Sequence, residues 1–168
     1  DALIADYFDG KKSEDNCVIS SFELYENGDF YCMEYNAFKS TLLATGGKEL
    51  YIINFERSLQ EPDIFSPNQG KSASAGVITS LSWNKSASVQ HILACAHDNG
   101  RINIFDFKLK KNIFSFSDGK EEQKGREISI AWNTSIPTQL AVAFDDEQSG
   151  VQIWDLRNNK APVKVLNN

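Results

Sequence analysis

Residues 77–107 read VITSLSWNKSASVQHILACAHDNGRINIFDF and contain three short apolar runs, at residues 77–84, 92–96 and 102–107. The first run alternates apolar and polar residues, as a strand with one buried face does. The tripeptide Asp98-Asn99-Gly100 separates the last two runs. Asn and Gly tolerate the positive φ angles of a tight hairpin turn, so the segment predicts three consecutive antiparallel strands.

The same arrangement occurs twice more along the chain. Each first-strand segment ends in an aromatic residue followed by Asn, and these aromatics are Tyr35, Trp83 and Trp132, spaced 48 and 49 residues apart. Second-strand runs lie at residues 42–46, 92–96 and 140–144, and third-strand runs at residues 50–55, 102–107 and 151–156. A weaker fourth strand is predicted at residues 17–25, 63–65, 111–116 and 163–166. The chain is therefore built from internal repeats.

Four short strands in each unit of about 50 residues are the layout of a β-propeller blade. The repeat register also extends backwards to Asp6, in a predicted third strand at residues 2–7. The sequence predicts an all-β protein, with the end of one blade at residues 1–25 and three further blades at residues 26–75, 76–125 and 126–168. We expect three and a half blades of a larger, seven-bladed ring, whose other blades lie in further residues or in another chain.

The dipeptide Trp154-Asp155 ends the last third strand, and it is the dipeptide after which WD40 repeats are named. The WD-motif positions predicted from the repeat register are Asp6, Asn54, Phe105, Asp106, Trp154 and Asp155. WD40 repeats often place Gly-His before the first strand, whereas residues 125–126 read Gly-Arg, so we expect the usual His-based hydrogen-bond network to be absent. The aromatics Tyr35, Trp83 and Trp132 are predicted to pack in the blade core.

The composition excludes several classes of function. Hydrophobic residues make up 41% of the chain and charged residues 24%, which is typical of a folded globular protein. The net charge of −6 argues against a protein that binds nucleic acid, because phosphate contacts require basic side chains. No apolar run reaches the roughly 18 residues of a membrane-spanning helix, so we expect no direct insertion into a membrane.

Catalytic, cofactor and metal sites are not indicated by the sequence. His91 and His97 would lie roughly 20 Å apart along one strand, too far apart to hold one ion, and we expect both in turns and Cys95 in the core. Residues 69–72 read QGKS but lack the preceding glycine of a phosphate-binding loop. The acidic residues 145–147 fit a solvated turn. The sequence predicts a protein that is not an enzyme and has no cofactor or metal.

A resemblance to one WD40 family lies in residues 77–168. The string Trp83-Asn84, the residues Val89-Gln90-His91 and the run IWDLRN at residues 153–158, with Pro162 after it, resemble the N-terminal propeller of the large outer-cage subunit of the COPII vesicle coat. Residues 1–70 match only as WD40-like strands, and Phe105-Asp106 stands where the family often has Trp-Asp.

The resemblance implies a non-enzymatic scaffold of the COPII outer coat, acting in vesicle formation and ER-to-Golgi protein transport. It implies a cytoplasmic protein, peripheral on the cytosolic face of the endoplasmic reticulum and of COPII vesicles. The implied partners are the smaller WD40 subunit of the outer cage, bound through chain beyond this segment, and other coat components at cage vertices. Neither a cofactor nor nucleic acid is implied.

Two other classes of function share the repeat pattern. A generic WD40 adaptor, such as a substrate receptor of a ubiquitin ligase, would have the same periodicity without the strings around Trp83 and Trp154. A propeller-based enzyme would need a cluster of polar residues at the central channel, which the sequence does not indicate. The sequence beyond the last blade would distinguish these classes, because the coat family continues with a helical region and a Pro-rich stretch.

Overall fold

The structure is a computed structural model and describes residues 30–39, 42–54, 63–65, 76–119, 125–146, 149–158 and 160–166. These residues form three antiparallel sheets of four strands, which we call the first, second and third blades. The first blade contains β1 (Cys32–Tyr35), β2 (Leu42–Gly46), β3 (Leu50–Asn54) and β4 (Asp63–Phe65). The second contains β5 (Ile78–Trp83), β6 (Ile92–His97), β7 (Arg101–Asp106) and β8 (Lys111–Ser117). The third contains β9 (Ile128–Trp132), β10 (Gln139–Phe144), β11 (Val151–Asp155) and β12 (Lys164–Leu166).

Strands that follow one another in the chain are hydrogen-bonded neighbours in all three blades. The repeat pattern of the sequence predicts all of these strands, and only β1 differs by more than one residue at an end, since the alternating segment that predicts it spans residues 29–36 and β1 begins at Cys32. The all-β fold class is thus confirmed. The predicted strands at residues 2–7 and 17–25, with Asp6, lie outside the described residues. No helix among the described residues is long and apolar enough to cross a membrane.

The second blade is covered on both sides by its neighbours. All six residues of β6 are buried, and its side chains alternate between two hydrophobic clusters. Leu93 and Cys95 pack in the cluster with the first blade, while Ala94 and Ala96 pack in the cluster with the third. Successive side chains of a strand point to opposite faces, so a strand between two blades requires a continuous apolar run. This requirement explains the sequence ILACAH.

The turn between β6 and β7 depends on a glycine. Gly100 has φ of 85°, a left-handed conformation that L side chains rarely adopt. A Cβ at this position would also overlap the guanidinium group of Arg126 in the third blade. Asn99 supports the turn, because its Oδ1 accepts a hydrogen bond from the backbone N–H of Arg101 at 3.2 Å. The turn therefore closes the hairpin and makes room for a side chain of the next blade.

Candidate functional site

Two of the contacts between blades are made by the tryptophans that end the first strands of the second and third blades. The indole Nε1 of Trp83 donates to the backbone oxygen of Glu34 in the first blade at 3.1 Å. The indole Nε1 of Trp132 donates in the same way to Ser82 in the second blade at 2.8 Å. Trp83 is fully buried and Trp132 is 4% exposed. Each tryptophan thus fixes its own blade to the blade before it.

Tyr35 differs from the two tryptophans, since it is 56% exposed. Among the described residues it is not part of the core, contrary to the sequence-based expectation. The physical reason follows from Trp83 and Trp132, which become buried only against the first strand of the preceding blade. Residues 1–29, which precede the first blade, lie outside the described residues.

The Asn residues that follow Tyr35 and Trp83 bind to the next blade along the chain, whereas Asn133, after Trp132, donates to Gln139 Oε1 of its own blade at 3.2 Å. Asn36 Nδ2 donates to the backbone oxygen of Gln90 in the second blade, and Asn84 Nδ2 donates to that of Pro137 in the third, both at 2.8 Å. The Oδ1 atom of each Asn accepts hydrogen bonds from the backbone of its own turn. The pair Trp83-Asn84 therefore contacts both the preceding blade and the following blade.

The WD-motif acids cap the turns after the third strands. Asp106 Oδ1 accepts from the backbone N–H of Leu109 at 2.9 Å, and Asp155 Oδ1 accepts from that of Arg157 at 3.1 Å. Arg157 also donates two guanidinium hydrogen bonds to the same carboxylate, which holds the pKa of Asp155 well below its usual range. Asn54 ends β3 and is half-buried. Asp106 and Asp155 thus shape the turns that follow the third strands.

The two WD-motif aromatics lie in the clusters between blades. Phe105 is buried between the first and second blades. Trp154 is buried between the second and third, where its ring packs on Phe116 with the ring centroids 4.1 Å apart. The indole Nε1 of Trp154 donates to Gln152 Oε1 at 3.0 Å. Both positions contribute to packing between blades.

A histidine-centred hydrogen-bond network is present in the second blade, although the sequence predicted none. His97 Nδ1 lies 3.1 Å from the backbone oxygen of Gly76, and its Nε2 lies 2.9 Å from Asn103 Nδ2. Asn103 Oδ1 in turn accepts from Ser115 Oγ at 2.7 Å. The network uses the last residue of β6 instead of the Gly-His position. His97 is thus a buried strand residue, and the expectation of a turn was wrong, whereas His91 does lie in a turn.

We expect the second blade to lose stability as the pH falls below about 6.5, the usual pKa of histidine. Burial is the main cause that lowers the pKa of His97, so the folded protein keeps the ring neutral. The unfolded chain then binds more protons than the folded chain between pH 6.5 and the lowered pKa, and stability falls through this range. Thermal unfolding at pH 7.5 to 5 should show a steeper loss for the parent protein than for His97→Gln. Equal pH dependence of the two proteins would contradict this role of His97.

Arg126 stands where the Gly-His pattern would place histidine, and it forms a buried charge cluster between the second and third blades. Its guanidinium group donates two hydrogen bonds to Asp118, at 3.1 and 2.8 Å. It also donates to Asp146 at 2.7 Å and to Asp145 at 3.4 Å. Arg126 is 5% exposed, and its guanidinium carbon lies 5.2 Å from the centre of the Phe144 ring. Asp145 and Asp146 of the acidic turn therefore form ion pairs while they remain partly exposed to solvent, and residue 147 lies outside the described residues.

Equivalent acids in two blades also fix the start of the first strand. Asp98 Oδ1 accepts from the backbone N–H of Val77 at 2.8 Å, and Asp145 Oδ2 accepts from that of Glu127 at 3.1 Å. No signal in the single sequence assigns these pairs, because donor and acceptor are about 20 residues apart and meet only when the blade is complete.

The described residues contain no group of three His, Cys, Asp or Glu side chains that could hold a metal ion. Burial raises the pKa of the Cys32 thiol to about 11 and raises that of Cys95 further. Both thiols therefore stay protonated and are poor nucleophiles at neutral pH.

No family model matches the chain. It is 35% identical over 110 residues to the protein transport protein SEC31 of Dictyostelium discoideum, which covers 65% of this chain and 8% of that protein. It is 35% identical over 102 residues to the protein transport protein sec31 of Aspergillus oryzae, which covers 59% of this chain and 7% of that protein. The chain thus spans less than a tenth of the length of the curated relatives that it matches.

Solved structures match a larger share of the chain. A structure of COPII on membranes at the outer coat vertex matches with a TM-score of 0.68 and 26% identity, over 86% of this chain and 39% of that chain. A structure of the mitotic checkpoint complex matches with a TM-score of 0.64 over 87% of this chain and 39% of that chain. Its 19% identity supports the fold alone. These comparisons confirm the WD40 propeller fold and the resemblance to the COPII outer-cage subunit.

Proposed function

We propose that this chain is a propeller segment of a non-enzymatic scaffold of the COPII outer coat, which acts in vesicle formation and ER-to-Golgi protein transport. The observation that carries the proposal is the likeness to the outer coat vertex, with a TM-score of 0.68 at 26% identity over most of the chain. The relatives named as protein transport proteins support the same role.

The contacts between blades suit a scaffold. Trp83 and Asn84 join the second blade to the blades on both sides, and the Arg126 cluster adds ion pairs between the second and third blades. Side chains buried in this way hold the blades in fixed orientation, so the outer surface can act as a rigid module. A coat lattice needs rigid modules, because many weak contacts add up only when their geometry allows simultaneous binding.

The finer parts of the proposal concern partners and location. We propose that the whole protein binds a smaller WD40 subunit of the outer cage through chain beyond this segment, and that the propeller contacts other coat components at cage vertices. The protein would be cytoplasmic and would lie on the cytosolic face of the endoplasmic reticulum through these partners. The net charge of −6 supports indirect attachment, because anionic lipids repel an acidic surface.

Affinity purification of the tagged full-length protein tests this function. We expect recovery of a smaller WD40 subunit together with other coat components, and we expect residues 1–168 alone to recover no smaller subunit. A tagged WD40 protein of unrelated function serves as the control for non-specific recovery. If ubiquitin-ligase subunits are recovered without coat components, the adaptor function replaces the coat function.

A further inference from the structure

A cleft of about 170 Å³ lies between the first and second blades, beside the hydrogen bonds that Asn36 and Trp83 make between these blades. It lies at the end of the blades where β1 and β5 finish, beside the turns that follow them. Its apolar lining consists of Leu42 and Trp83, which are buried, and of Phe107, which is half-buried and offers apolar surface to a ligand. This volume is of the order of one large apolar side chain, so the cleft can hold a single anchoring residue.

The rim of the cleft is basic, although the chain as a whole carries a net charge of −6. Lys39 comes from the turn after β1, and Lys108 comes from the turn after β7. Both lysines are exposed, and neither forms an ion pair with another described residue. Two cations therefore face solvent beside an apolar depression, which favours an acidic ligand by charge complementarity.

The polar groups inside the cleft limit what can bind there. Both polar atoms of the Asn36 side-chain amide already have hydrogen-bond partners, since Oδ1 accepts from backbone N–H groups and Nδ2 donates to the backbone oxygen of Gln90. The indole N–H of Trp83 is bound to Glu34. His91 also lines the cleft, and its Nδ1 atom has no hydrogen-bond partner among the described residues. Its Nε2 lies 3.8 Å from Asp106 Oδ2, the carboxylate nearest to it.

Burying a polar ligand group against side-chain atoms that already have partners costs free energy, so we expect an apolar group to enter the cleft beside Phe107. The groups that can still bind polar atoms of a ligand include the two lysines on the rim and one nitrogen of His91. We propose that the cleft binds a short acidic peptide segment of another protein, with one large apolar side chain packed against Phe107 and its flanking carboxylates paired with Lys39 and Lys108. This binding site is independent of the coat function proposed above.

A labelled peptide with the sequence Ser-Glu-Glu-Phe-Glu-Glu-Ser tests this site by fluorescence anisotropy with the full-length protein. We expect saturable binding that weakens at least tenfold when Phe is replaced by Ser in the peptide. The double variant Lys39→Glu/Lys108→Glu should also weaken binding about tenfold or more, because both substitutions replace attraction with repulsion. Both residues are exposed, so these substitutions leave the folded blades intact.

Lys48→Glu is the matched control, since Lys48 is an exposed lysine of the first blade at the opposite end of its strands, between β2 and β3. It should bind the peptide as the parent protein does. The proposal is overturned if the peptide shows no saturable binding, or if the double variant and the Lys48→Glu control bind it equally. It is also overturned if the Ser-substituted peptide binds as well as the original, since the apolar anchor would then be unnecessary. None of these results affects the recovery of coat components.

Discussion

Replacing Trp132 with alanine is expected to lower the free energy of unfolding of the propeller by about 3–5 kcal/mol, as large aromatic truncations in cores do. The indole is buried in the cluster between the second and third blades. The substitution leaves a cavity there and also leaves the backbone oxygen of Ser82 without the indole N–H that binds it. Denaturant unfolding of the full-length protein, followed by fluorescence of the propeller, measures the loss.

Two further variants separate the causes of this loss. Trp132→Phe keeps much of the apolar volume but removes the hydrogen bond, so its effect should be clearly smaller than that of the alanine variant. Thr134→Ala changes an exposed residue two positions later and should stay within about 0.5 kcal/mol of the parent protein. If Trp132→Ala unfolded together with the parent protein, the packing of the second blade against the third would be wrong.

Replacing Arg126 with methionine is expected to cost about 3 kcal/mol of stability, the lower end of the range for breaking a buried ion pair. The change leaves the carboxylate of Asp118, which is 1% exposed, without its guanidinium partner. Asp145 and Asp146 are partly exposed, so water compensates for part of their loss. The midpoint of thermal unfolding of the full-length protein at neutral pH measures the effect.

Arg157→Met is the matched control for this variant. Arg157 also pairs with an aspartate, Asp155, but the Arg157 side chain is 71% exposed, so the fall of the unfolding midpoint should be smaller than for Arg126→Met. Adding Asp118→Asn to Arg126→Met should recover part of the lost stability, because it removes the uncompensated charge. Equal midpoints for Arg126→Met and Arg157→Met would contradict a structural role for the buried cluster.

The strands could be predicted from the sequence because they depend on local signals. The turn Asp98-Asn99-Gly100 marks one hairpin, and the aromatic-Asn pairs at the ends of first strands recur at a nearly constant spacing, which gives the strand order and the approximate strand ends. β4 has only three residues, yet the repeat register places it correctly, since the register comes from the stronger strands before it.

The interactions between distant residues could not be predicted in the same way. Arg126 and Asp145 are separated by 19 residues, and their pairing depends on the hairpin that brings the acidic turn back to the start of β9. The apolar run at residues 92–96 ends before the polar His97, so the sequence places His97 in the following turn. In the structure His97 is the last residue of β6 and its Nδ1 lies beside the backbone oxygen of Gly76. Tyr35 matches the tryptophans in position, but burial depends on the blade beside it and not on the repeat itself.

Cryo-electron tomography of the coat assembled on membranes tests the central claim most directly. The full-length protein would carry a compact folded tag inserted between Lys160 and Ala161, an exposed turn of the third blade. The account predicts an ordered outer lattice with the added density beside the propellers at its vertices. An ordered lattice that forms without any tag density at the vertices, although the tagged protein is folded and present, would contradict it.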